Sequence, residues 1–292
     1  MLPTFIIVGA PRSGTTSLYN YCAQHPDVFM SPIKEVNYFS SNNHGLTEED
    51  YRQLFEPGRE KLAVGEASPS YLRREDAPRR ISSLIPECQI IVILRDPVSR
   101  FLSDFKYSRR FGFHPNPLES YLPVRTGDEI AVPKHFEIGT MREKGFYYRQ
   151  IRQYREVIDE DKIHIFIYDD LIEDTSKLVG TLFGLLGISQ EFTPNIKKKH
   201  NKSTESRWSW LARSVRGGKV EYTVRRLFSR VTADRVLSGI KNSNSRPSSF
   251  VPSETAVRQV RQWYKDEVQQ LEEMINRSLD NWLASPVAYI EQ

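Results

Sequence analysis

The residues best suited to chemistry lie close to the N-terminus, in the stretch FIIVGAPRSGTTSLYNY at 5–21. Gly9 and Gly14 have the spacing of a phosphate-binding loop, in which a glycine is followed by four residues and then Gly-Lys-Ser/Thr. Thr15 stands where that pattern has lysine, and Thr16 supplies the hydroxyl that follows. A buried strand, a glycine turn and a helix start can bind a phosphate through backbone amides. The sequence therefore predicts a phosphate site without the usual lysine.

A cation remains within this loop, because Arg12 lies two residues before the second glycine. The amides of residues 13–17, at the positive end of a helix dipole, would add to the attraction for an anion. A simple strand–turn–helix joint is disfavoured, because one cation, two glycines and four hydroxyls lie so close together. The predicted ligand contacts of the loop are Arg12, Ser13, Gly14, Thr15, Thr16 and Ser17.

A second cation follows another apolar run, in VILRDP at 92–97. A metal-dependent kinase needs an acid at the tip of such a strand to hold magnesium. Arg95 occupies that place, and the adjacent Asp96 suits a helix N-cap. A guanidinium offers a fixed fork of donors to a phosphate, and Ser103 on the following helix could donate to the same group. These residues predict a ligand with two separate anionic groups and no obligatory metal.

Composition restricts the class of protein. Of the 292 residues, 39% are hydrophobic and 27% charged, which is typical of a globular protein with a sizeable core. No apolar run reaches the roughly 20 residues of a membrane helix, and no signal-peptide cleavage site follows the opening FIIVGA. Six histidines and two cysteines lack metal-ligand spacing, so no metal site is predicted. Cys22 and Cys88 fit a reducing, cytoplasmic compartment, although an N-terminal anchor preceding this sequence would leave the composition unchanged.

Positive charge is concentrated in one part of the chain. Residues 197–246 contain fourteen Lys/Arg and three Asp/Glu, a local charge of +11 that leaves −7 for the rest of the chain. Such a field indicates an anionic ligand nearby, and a solvated basic surface explains it equally well. One hypothesis is therefore a non-catalytic protein that binds a nucleotide or a nucleic acid, with a strongly salt-dependent affinity.

The elements that would position these residues are readable from the apolar pattern. Short runs rich in Ile and Val at 4–9, 61–66, 89–94 and 162–168 are typical of strands buried on both faces of a parallel sheet. Helical patterns between them predict βαβ crossovers. The fold class is therefore α/β, in three layers, with a central, mostly parallel β-sheet flanked by helices.

The predicted helices and loops complete a single domain over residues 1–292, with a nucleotide-binding core to about residue 200. The basic remainder, 201–292, is predicted to be mostly helical and to end in a C-terminal helix. The segment 111–134 is long enough to be a lid or substrate loop. Helices are expected at 15–24, from Pro97, at 145–157, at 176–186 and as one long helix over 257–279, which Trp282 docks on the body.

Several motifs together resemble a known family. PRSGTTSL resembles the 5′-phosphosulfate loop, and ILRDPVSRFLSDF the 3′-phosphate motif, of sulfotransferases that use 3′-phosphoadenosine 5′-phosphosulfate (PAPS). HPDVFMSPIKEVNYF and GEASPSYL resemble the carbohydrate-type branch, which includes the heparan sulfate enzymes and many bacterial relatives. KGFYYRQIRQY and DDLIEDTSKLVGTLFGLLGI continue the resemblance, which covers residues 5–188 in order. It implies a P-loop-like fold and transfer of a sulfuryl group from PAPS to a hydroxyl or amine, without a metal.

The resemblance also implies roles for individual residues. Glu35, in KEVNYF, falls on the family's catalytic base, and Arg12 matches the loop lysine that contacts the 5′-phosphosulfate. Glycan-modifying relatives often carry a lysine where this chain has Ala67. Stabilisation of the developing charge would then come from Arg12, the loop amides and Lys34.

Further contacts follow from matching positions. Tyr147 is open to two interpretations, packing on the nucleotide or filling the core. KKKHNKS at 197–203 resembles a basic loop that closes over the 3′-phosphate. The implied contacts outside the first loop are Arg95, Ser103, Tyr147, Asn201 and Lys202.

The expected ligands are PAPS as donor, 3′-phosphoadenosine 5′-phosphate (PAP) as product, and a glycan or small-molecule acceptor. No nucleic-acid partner and no membrane span within this chain are expected, and the oligomeric state is left open. The alternative enzyme is a P-loop kinase of a small molecule, which would use ATP and magnesium.

Overall fold

The computed structural model describes most of the chain, and the chain divides into two compact units. The described residues are 1–40, 45–110, 113–114, 116–126, 129–131, 136–196, 204–206, 245–247 and 250–284. The first unit comprises Met1–Arg100, Arg142–His200 and Arg261–Ser285. The second comprises Phe101–Met141, Asn201–Val260 and Pro286–Gln292.

Five parallel strands form the central sheet of the first unit, in the order β2-β3-β1-β4-β7. Two antiparallel pairs, β5-β6 and β8-β9, belong to the second unit. The strands are β1 (Phe5–Gly9), β2 (Val28–Met30), β3 (Ala63–Ala67), β4 (Gln89–Leu94), β5 (Val124–Thr126), β6 (Glu129–Ala131), β7 (Ile163–Ile167), β8 (Thr204–Ser206) and β9 (Ser245–Pro247).

Helices connect the strands of the sheet and follow it along the chain. Short 3₁₀ helices lie at Glu56–Gly58, Tyr71–Arg73, Leu118–Tyr121 and Glu160–Lys162. The α-helices described by the structure are α1 (Thr15–Cys22), α2 (Glu48–Gln53), α3 (Ala77–Leu84), α4 (Pro97–Arg110), α5 (Phe136–Glu143), α6 (Tyr147–Arg155), α7 (Tyr168–Glu173), α8 (Thr175–Leu185), α9 (Glu254–Gln262), α10 (Lys265–Ile275) and α11 (Asp280–Ala284).

The α/β class and the four strands predicted from apolar runs are confirmed, as β1, β3, β4 and β7. Their side chains alternate between the two faces of the sheet. Ile7 and Ile93 belong to an apolar cluster with Leu18 of α1 and Leu182 of α8. Ile6 points to the opposite face and is equally buried. Burial on both faces explains why these runs are continuously apolar rather than alternating.

The single long helix predicted over 257–279 is wrong, because the chain breaks after α9 and again after α10. At the first break, the Tyr264 hydroxyl donates to the Arg142 carbonyl oxygen at 2.9 Å, and its ring packs on Gly145. At the second, Asn276 has φ 49° and ends α10 with a left-handed cap. The apolar rhythm continues through both breaks, so periodicity alone does not reveal them.

The C-terminal helices of the first unit hold α7 in place. Trp282 of α11 is buried, as predicted, and its indole Nε1 donates to Asp169 Oδ2 at 3.2 Å. The Arg277 guanidinium, just after α10, donates to both carboxylate oxygens of Asp170, at 2.5 and 2.6 Å. These contacts fix the first turn of α7 from a part of the chain more than a hundred residues away.

Neither cysteine forms a disulfide. Cys22 and Cys88 are both buried and free, and burial raises the pKa of Cys22 to about 12. Thiols with raised pKa values are poor nucleophiles, so both residues act as small apolar groups of the core. Among the described residues, no helix is long and apolar enough to cross a membrane.

Candidate active site

The loop between β1 and α1, here called the phosphate loop (residues 9–17), places open amides at a helix N-terminus. Gly14 caps α1 with φ 95°, and its carbonyl oxygen accepts from the Ser17 amide at 2.9 Å. The Ser13 amide is also used, because it donates to the Ala10 carbonyl oxygen at 3.3 Å. The amides at positions 14–16 have no acceptor in the described part of the chain. Three of the five amides expected to hold an anion therefore remain available.

A buried hydroxyl adds to this site. Ser13 is fully buried, and although the Tyr147 hydroxyl lies near its Oγ, the Oγ completes no hydrogen bond of good geometry with a described residue. An unpaired buried hydroxyl is costly unless a ligand completes it. Arg12, beside it, has φ 69°, a left-handed conformation that non-glycine residues rarely adopt. An orphaned hydroxyl, three open amides and an arginine fit a phosphate or sulfate group, which can accept from all of them.

Replacement of Gly14 by alanine should destabilise the loop. A Cβ there would lie 2.9 Å from Leu171 Cδ2 and 3.0 Å from Tyr168 Cδ2, in addition to the left-handed strain. We expect Gly14→Ala to lower the free energy of unfolding by about 1–3 kcal/mol, measured by denaturant titration. Gly187→Ala is the matched control, because Gly187 has φ 70° but nothing within 4 Å of a new Cβ. Equal losses in the two variants would contradict a contribution from crowding.

Arg95 follows β4 directly and is held by two tyrosines. Its guanidinium lies over the ring of Tyr168, 4.8 Å from the centroid, which is a cation–π contact. Its carbonyl oxygen accepts from the Tyr147 hydroxyl at 3.0 Å. Because the ring of Tyr168 also borders Gly14, it lies against both the phosphate loop and Arg95. The two predicted anion contacts therefore lie at one edge of the sheet, joined by one aromatic side chain.

Tyr168 was not among the predicted site residues. It lies immediately after β7, the strand next to β4, and the carboxyl ends of neighbouring parallel strands meet at one edge of a sheet. The run that predicts β7 ends in this tyrosine, so its place in the sequence was the available signal. Its pairing with Arg95 required the order of the strands.

The acid next to Arg95 is an N-cap, as predicted. Asp96 accepts from the amides of Val98 and Ser99, at 3.1 and 3.0 Å, at the start of α4. Both carboxylate oxygens are therefore used within the chain. No group of three or more His, Cys, Asp or Glu residues able to hold a metal is found in the residues that the structure describes.

The remaining predicted nucleotide contacts are one buried residue, one half-buried residue and two residues outside the described part of the chain. Tyr147 is buried, and burial is the main cause that raises its pKa, so the core interpretation accounts for its side chain. Ser103 is half-buried on the part of α4 that belongs to the second unit. Asn201 and Lys202 lie outside the described residues, as does most of the basic segment 197–246.

Glu35 lies in a strained turn attached to the end of β3, here called the Glu35 turn (residues 34–39). Its amide donates to the Ala67 carbonyl oxygen at 3.0 Å, so the turn begins at the carboxyl edge of the sheet. Both Glu35, with φ 62°, and Asn37, with φ 57°, are left-handed. Asparagine adopts this conformation readily, but for glutamate it costs about 1–3 kcal/mol, and such strained residues cluster at functional sites. The Glu35 side chain is 57% exposed, so a carboxylate is presented to solvent from a rigid backbone.

Lys34 lies beside this carboxylate. Its Nζ is 3.1 Å from Glu35 Oε1, which is the ion pair expected if Glu35 were an ordinary surface acid. Ala67, where glycan-modifying relatives often have lysine, is fully buried among the apolar side chains of the sheet. The cation next to Glu35 therefore comes from the preceding residue in the chain.

Comparison with known proteins gives the same family from the sequence and a matching fold from the structure. The family model described as "Sulfotransferase domain" matches residues 2–231. The mouse "Bifunctional heparan sulfate N-deacetylase/N-sulfotransferase 4" is 26% identical over 235 residues, which are 75% of this chain and 26% of that protein. The mouse "Heparan sulfate glucosamine 3-O-sulfotransferase 3A1" is 37% identical over 105 residues, which are 36% of this chain and 26% of that protein. The chain thus spans about a quarter of the length of these curated relatives.

Among solved structures, a sulfotransferase from Alicyclobacillus acidocaldarius aligns over 97% of this chain and 99% of its own. The TM-score is 0.70 and the sequence identity 22%. At that identity the likeness establishes a shared fold, with the P-loop-like parallel sheet that the sequence predicts.

Proposed function

This chain belongs to the sulfotransferase domain family and is a sulfotransferase enzyme, and we propose that its donor is PAPS, its product PAP and its catalytic base Glu35. One observation carries the choice of donor. Arg95, held over the Tyr168 ring, and the open amides of the phosphate loop lie at the same edge of the sheet. A donor with a 5′-phosphosulfate and a separate 3′-phosphate needs two anion sites of this kind.

Separate groups of residues would hold the two ends of the donor. The phosphate loop would bind the 5′-phosphosulfate, with the Ser13 hydroxyl and Arg12 completing the amides. Arg95 would bind the 3′-phosphate with its guanidinium fork. The full set proposed to contact the nucleotide is Arg12, Ser13, Gly14, Thr15, Thr16, Ser17, Arg95, Ser103, Asn201 and Lys202, with Tyr147 supporting Arg95 from the core through the Arg95 carbonyl oxygen.

The bound donor supplies a sulfuryl group, whose S–O bond to the 5′-phosphate breaks as the acceptor atom forms its own bond to sulfur. Glu35 takes the proton of the acceptor hydroxyl or amine, because an exposed carboxylate on a rigid turn can reach a bound acceptor. Arg12 and the open amides stabilise the charge that collects on the leaving phosphate. Lys34 keeps a second positive charge beside the reacting groups.

The acceptor is proposed at the level of its reacting group, a hydroxyl or amine on a glycan or small metabolite. The curated relatives named above carry heparan sulfate in their names, which supports a glycan. The buried Ala67 leaves this chain without the second lysine that glycan-modifying relatives often have. A cytoplasmic location, expected from the cysteines, stays a prediction.

Nucleotide binding without a metal tests the choice of donor against the kinase alternative. We expect PAP to bind in the presence of EDTA at least about tenfold more tightly than ATP with magnesium, because two anion sites are each satisfied by protein donors. Isothermal titration calorimetry measures both affinities. Tight magnesium-dependent binding of ATP with no binding of PAP would refute the proposal.

The acceptor class requires an activity screen. Radiolabelled PAPS is incubated with N-desulfated heparin, unsulfated glycans, phenols and aliphatic alcohols, and labelled products are separated from the donor. We expect label in at least one acceptor, and more with glycans than with phenols, because the curated relatives carry heparan sulfate in their names. Transfer confined to phenols would overturn the glycan preference without affecting the donor.

A further inference from the structure

A buried carboxylate lies directly behind the Glu35 turn, and nothing in the proposed reaction uses it. Glu66 is on β3, between β2 and β1, and is fully inaccessible to solvent. No lysine or arginine in the described part of the chain forms an ion pair with it. A buried acid without a cation is costly unless hydrogen bonds satisfy its oxygens.

Three hydroxyl groups satisfy Glu66. The Tyr51 hydroxyl donates to Oε1 at 2.7 Å, the Tyr71 hydroxyl to the same oxygen at 3.2 Å, and Ser68 Oγ to Oε2 at 2.6 Å. Burial raises the pKa of Glu66, and these hydrogen bonds oppose the rise. The four side chains Tyr51, Glu66, Ser68 and Tyr71 are here called the Glu66 cluster.

Two of these hydroxyls also face the Glu35 turn. Ser68 Oγ accepts from the Asn37 amide at 3.1 Å, and the Tyr71 hydroxyl accepts from the Phe39 amide at 3.2 Å. Each hydroxyl has one hydrogen, and that hydrogen is directed at Glu66. Its lone pairs are therefore directed at the turn. Because a carboxylate only accepts, it keeps both hydroxyls in this orientation.

The turn needs such support because its backbone is strained. Glu35 and Asn37 both have left-handed φ values, and for glutamate such a value is retained only where neighbouring groups fix it. The Asn37 side chain adds a local bond, donating from Nδ2 to the Glu35 carbonyl oxygen at 2.9 Å, and Ser70 Oγ donates to Asn37 Oδ1 at 2.6 Å. Asn37 is thus the residue through which the cluster reaches Glu35.

We propose that Glu66, through Ser68 and Tyr71, is a positioning residue that fixes the backbone of the Glu35 turn and thereby the direction of the Glu35 carboxylate. The proposal rests on the assignment of Glu35 as the base. It gives Glu66 no contact with donor or acceptor. Glu66 acts by holding the exposed Glu35 carboxylate in the direction from which it can take the acceptor proton.

The structural part of the proposal is tested without any substrate. Hydrogen–deuterium exchange of the peptide covering 33–40 is compared by mass spectrometry in wild type, Ser68→Ala and Tyr51→Phe. We expect Ser68→Ala to exchange faster there by about fivefold or more, the effect of losing one hydrogen bond. Tyr51→Phe is the matched control, because it removes an equally buried donor to Glu66 that has no bond to the turn. It should leave the peptide unchanged.

Tyr71→Phe and Glu66→Gln provide independent variants, because the first removes the acceptor of the Phe39 amide and the second places a donor inside the cluster. Both should increase exchange of the 33–40 peptide. Exchange equal to wild type in Ser68→Ala and Tyr71→Phe, or equal acceleration in Tyr51→Phe, overturns the proposal.

The functional part is tested by a double-mutant cycle with radiolabelled PAPS and the best acceptor of the screen. We expect Ser68→Ala to lower kcat by up to about 100-fold, with PAP affinity within about twofold of wild type. In a Glu35→Gln background the same change should have almost no further effect, because a misdirected base matters only while the base is present. A loss of the same size in both backgrounds overturns the positioning role.

Failure of the proposed function gives a different pattern. If Glu35 is not the base, Glu35→Gln retains near-normal turnover, whatever the exchange data show. If Glu35 is the base but the Glu66 cluster does not position it, Glu35→Gln is inactive and Ser68→Ala is as active as wild type.

Discussion

Glu35→Gln should remove turnover while leaving nucleotide binding intact. The amide keeps the shape of the side chain but cannot take a proton, and general-base catalysis typically contributes about 10²–10⁴-fold. We therefore expect kcat to fall by about that factor. The affinity for PAP should stay within about twofold, because the phosphate loop and Arg95 are unchanged. Steady-state transfer of label from PAPS and calorimetric titration with PAP measure the two effects.

Glu60→Gln is the control for Glu35→Gln. It makes the same chemical change at an exposed acid elsewhere in the first unit and should keep full activity. The ion pair between Glu35 and Lys34 suggests a competing explanation, in which Glu35 holds Lys34 in place and takes no proton itself. Lys34→Ala separates the two explanations by the size of its effect. Loss of the Lys34 charge alone should lower kcat less than Glu35→Gln does, and an equal loss in the two variants would mean that Glu35 acts only through Lys34. Near-normal turnover in Glu35→Gln means that another group takes the acceptor proton.

Arg95→Ala should weaken the binding of PAP and leave that of adenosine 5′-monophosphate almost unchanged. A hydrogen-bonded charged group contributes about 1.5–3 kcal/mol, which corresponds to about 10–150-fold in affinity. Only PAP carries the 3′-phosphate that Arg95 is proposed to hold. The ratio of the two affinities therefore isolates that contact, and calorimetry measures it in wild type and variant.

Arg95→Lys and Arg59→Ala complete the Arg95 experiment. Lysine keeps the charge but not the guanidinium fork, so we expect an intermediate loss. Arg59 is an exposed arginine paired with Glu56 and should have no influence on PAP. Equal weakening of both nucleotides by Arg95→Ala would mean that the change disturbs the Tyr168 contact and the loop rather than a phosphate.

The fold was predictable because the central strands are buried on both faces. Continuous Ile and Val runs predict β1, β3, β4 and β7, and only three residues form β2, too few to give a pattern. The long C-terminal helix was predicted wrongly, because the spacing of apolar residues is the same on both sides of the break at Tyr264. The sequence pattern does not reveal that the chain turns there to pack Tyr264 against Gly145. Local turn geometry of this kind depends on a partner far away in the chain.

The predictable part of the site is what one segment encodes by itself. The phosphate loop and Arg95 are each local motifs, so the sequence reveals them. The place of Tyr168 depends on which strands are neighbours, and the Glu66 cluster depends on hydroxyls from two separate segments, at 51 and at 68–71. The left-handed φ of Glu35 was also unforeseeable, because glutamate rarely adopts it.

The contacts of Trp282 and Arg277 with α7 determine when, during synthesis, this part of the chain can fold. Asp169 and its partner Trp282 are 113 positions apart, and Tyr168 begins the same helix as Asp169. Domains generally fold as units during synthesis. The first unit includes residues 261–285, and Tyr168 borders both Gly14 of the phosphate loop and Arg95, so neither is fully supported until residue 282 has left the ribosome. The two anion sites proposed for the donor would therefore be completed together, late in synthesis.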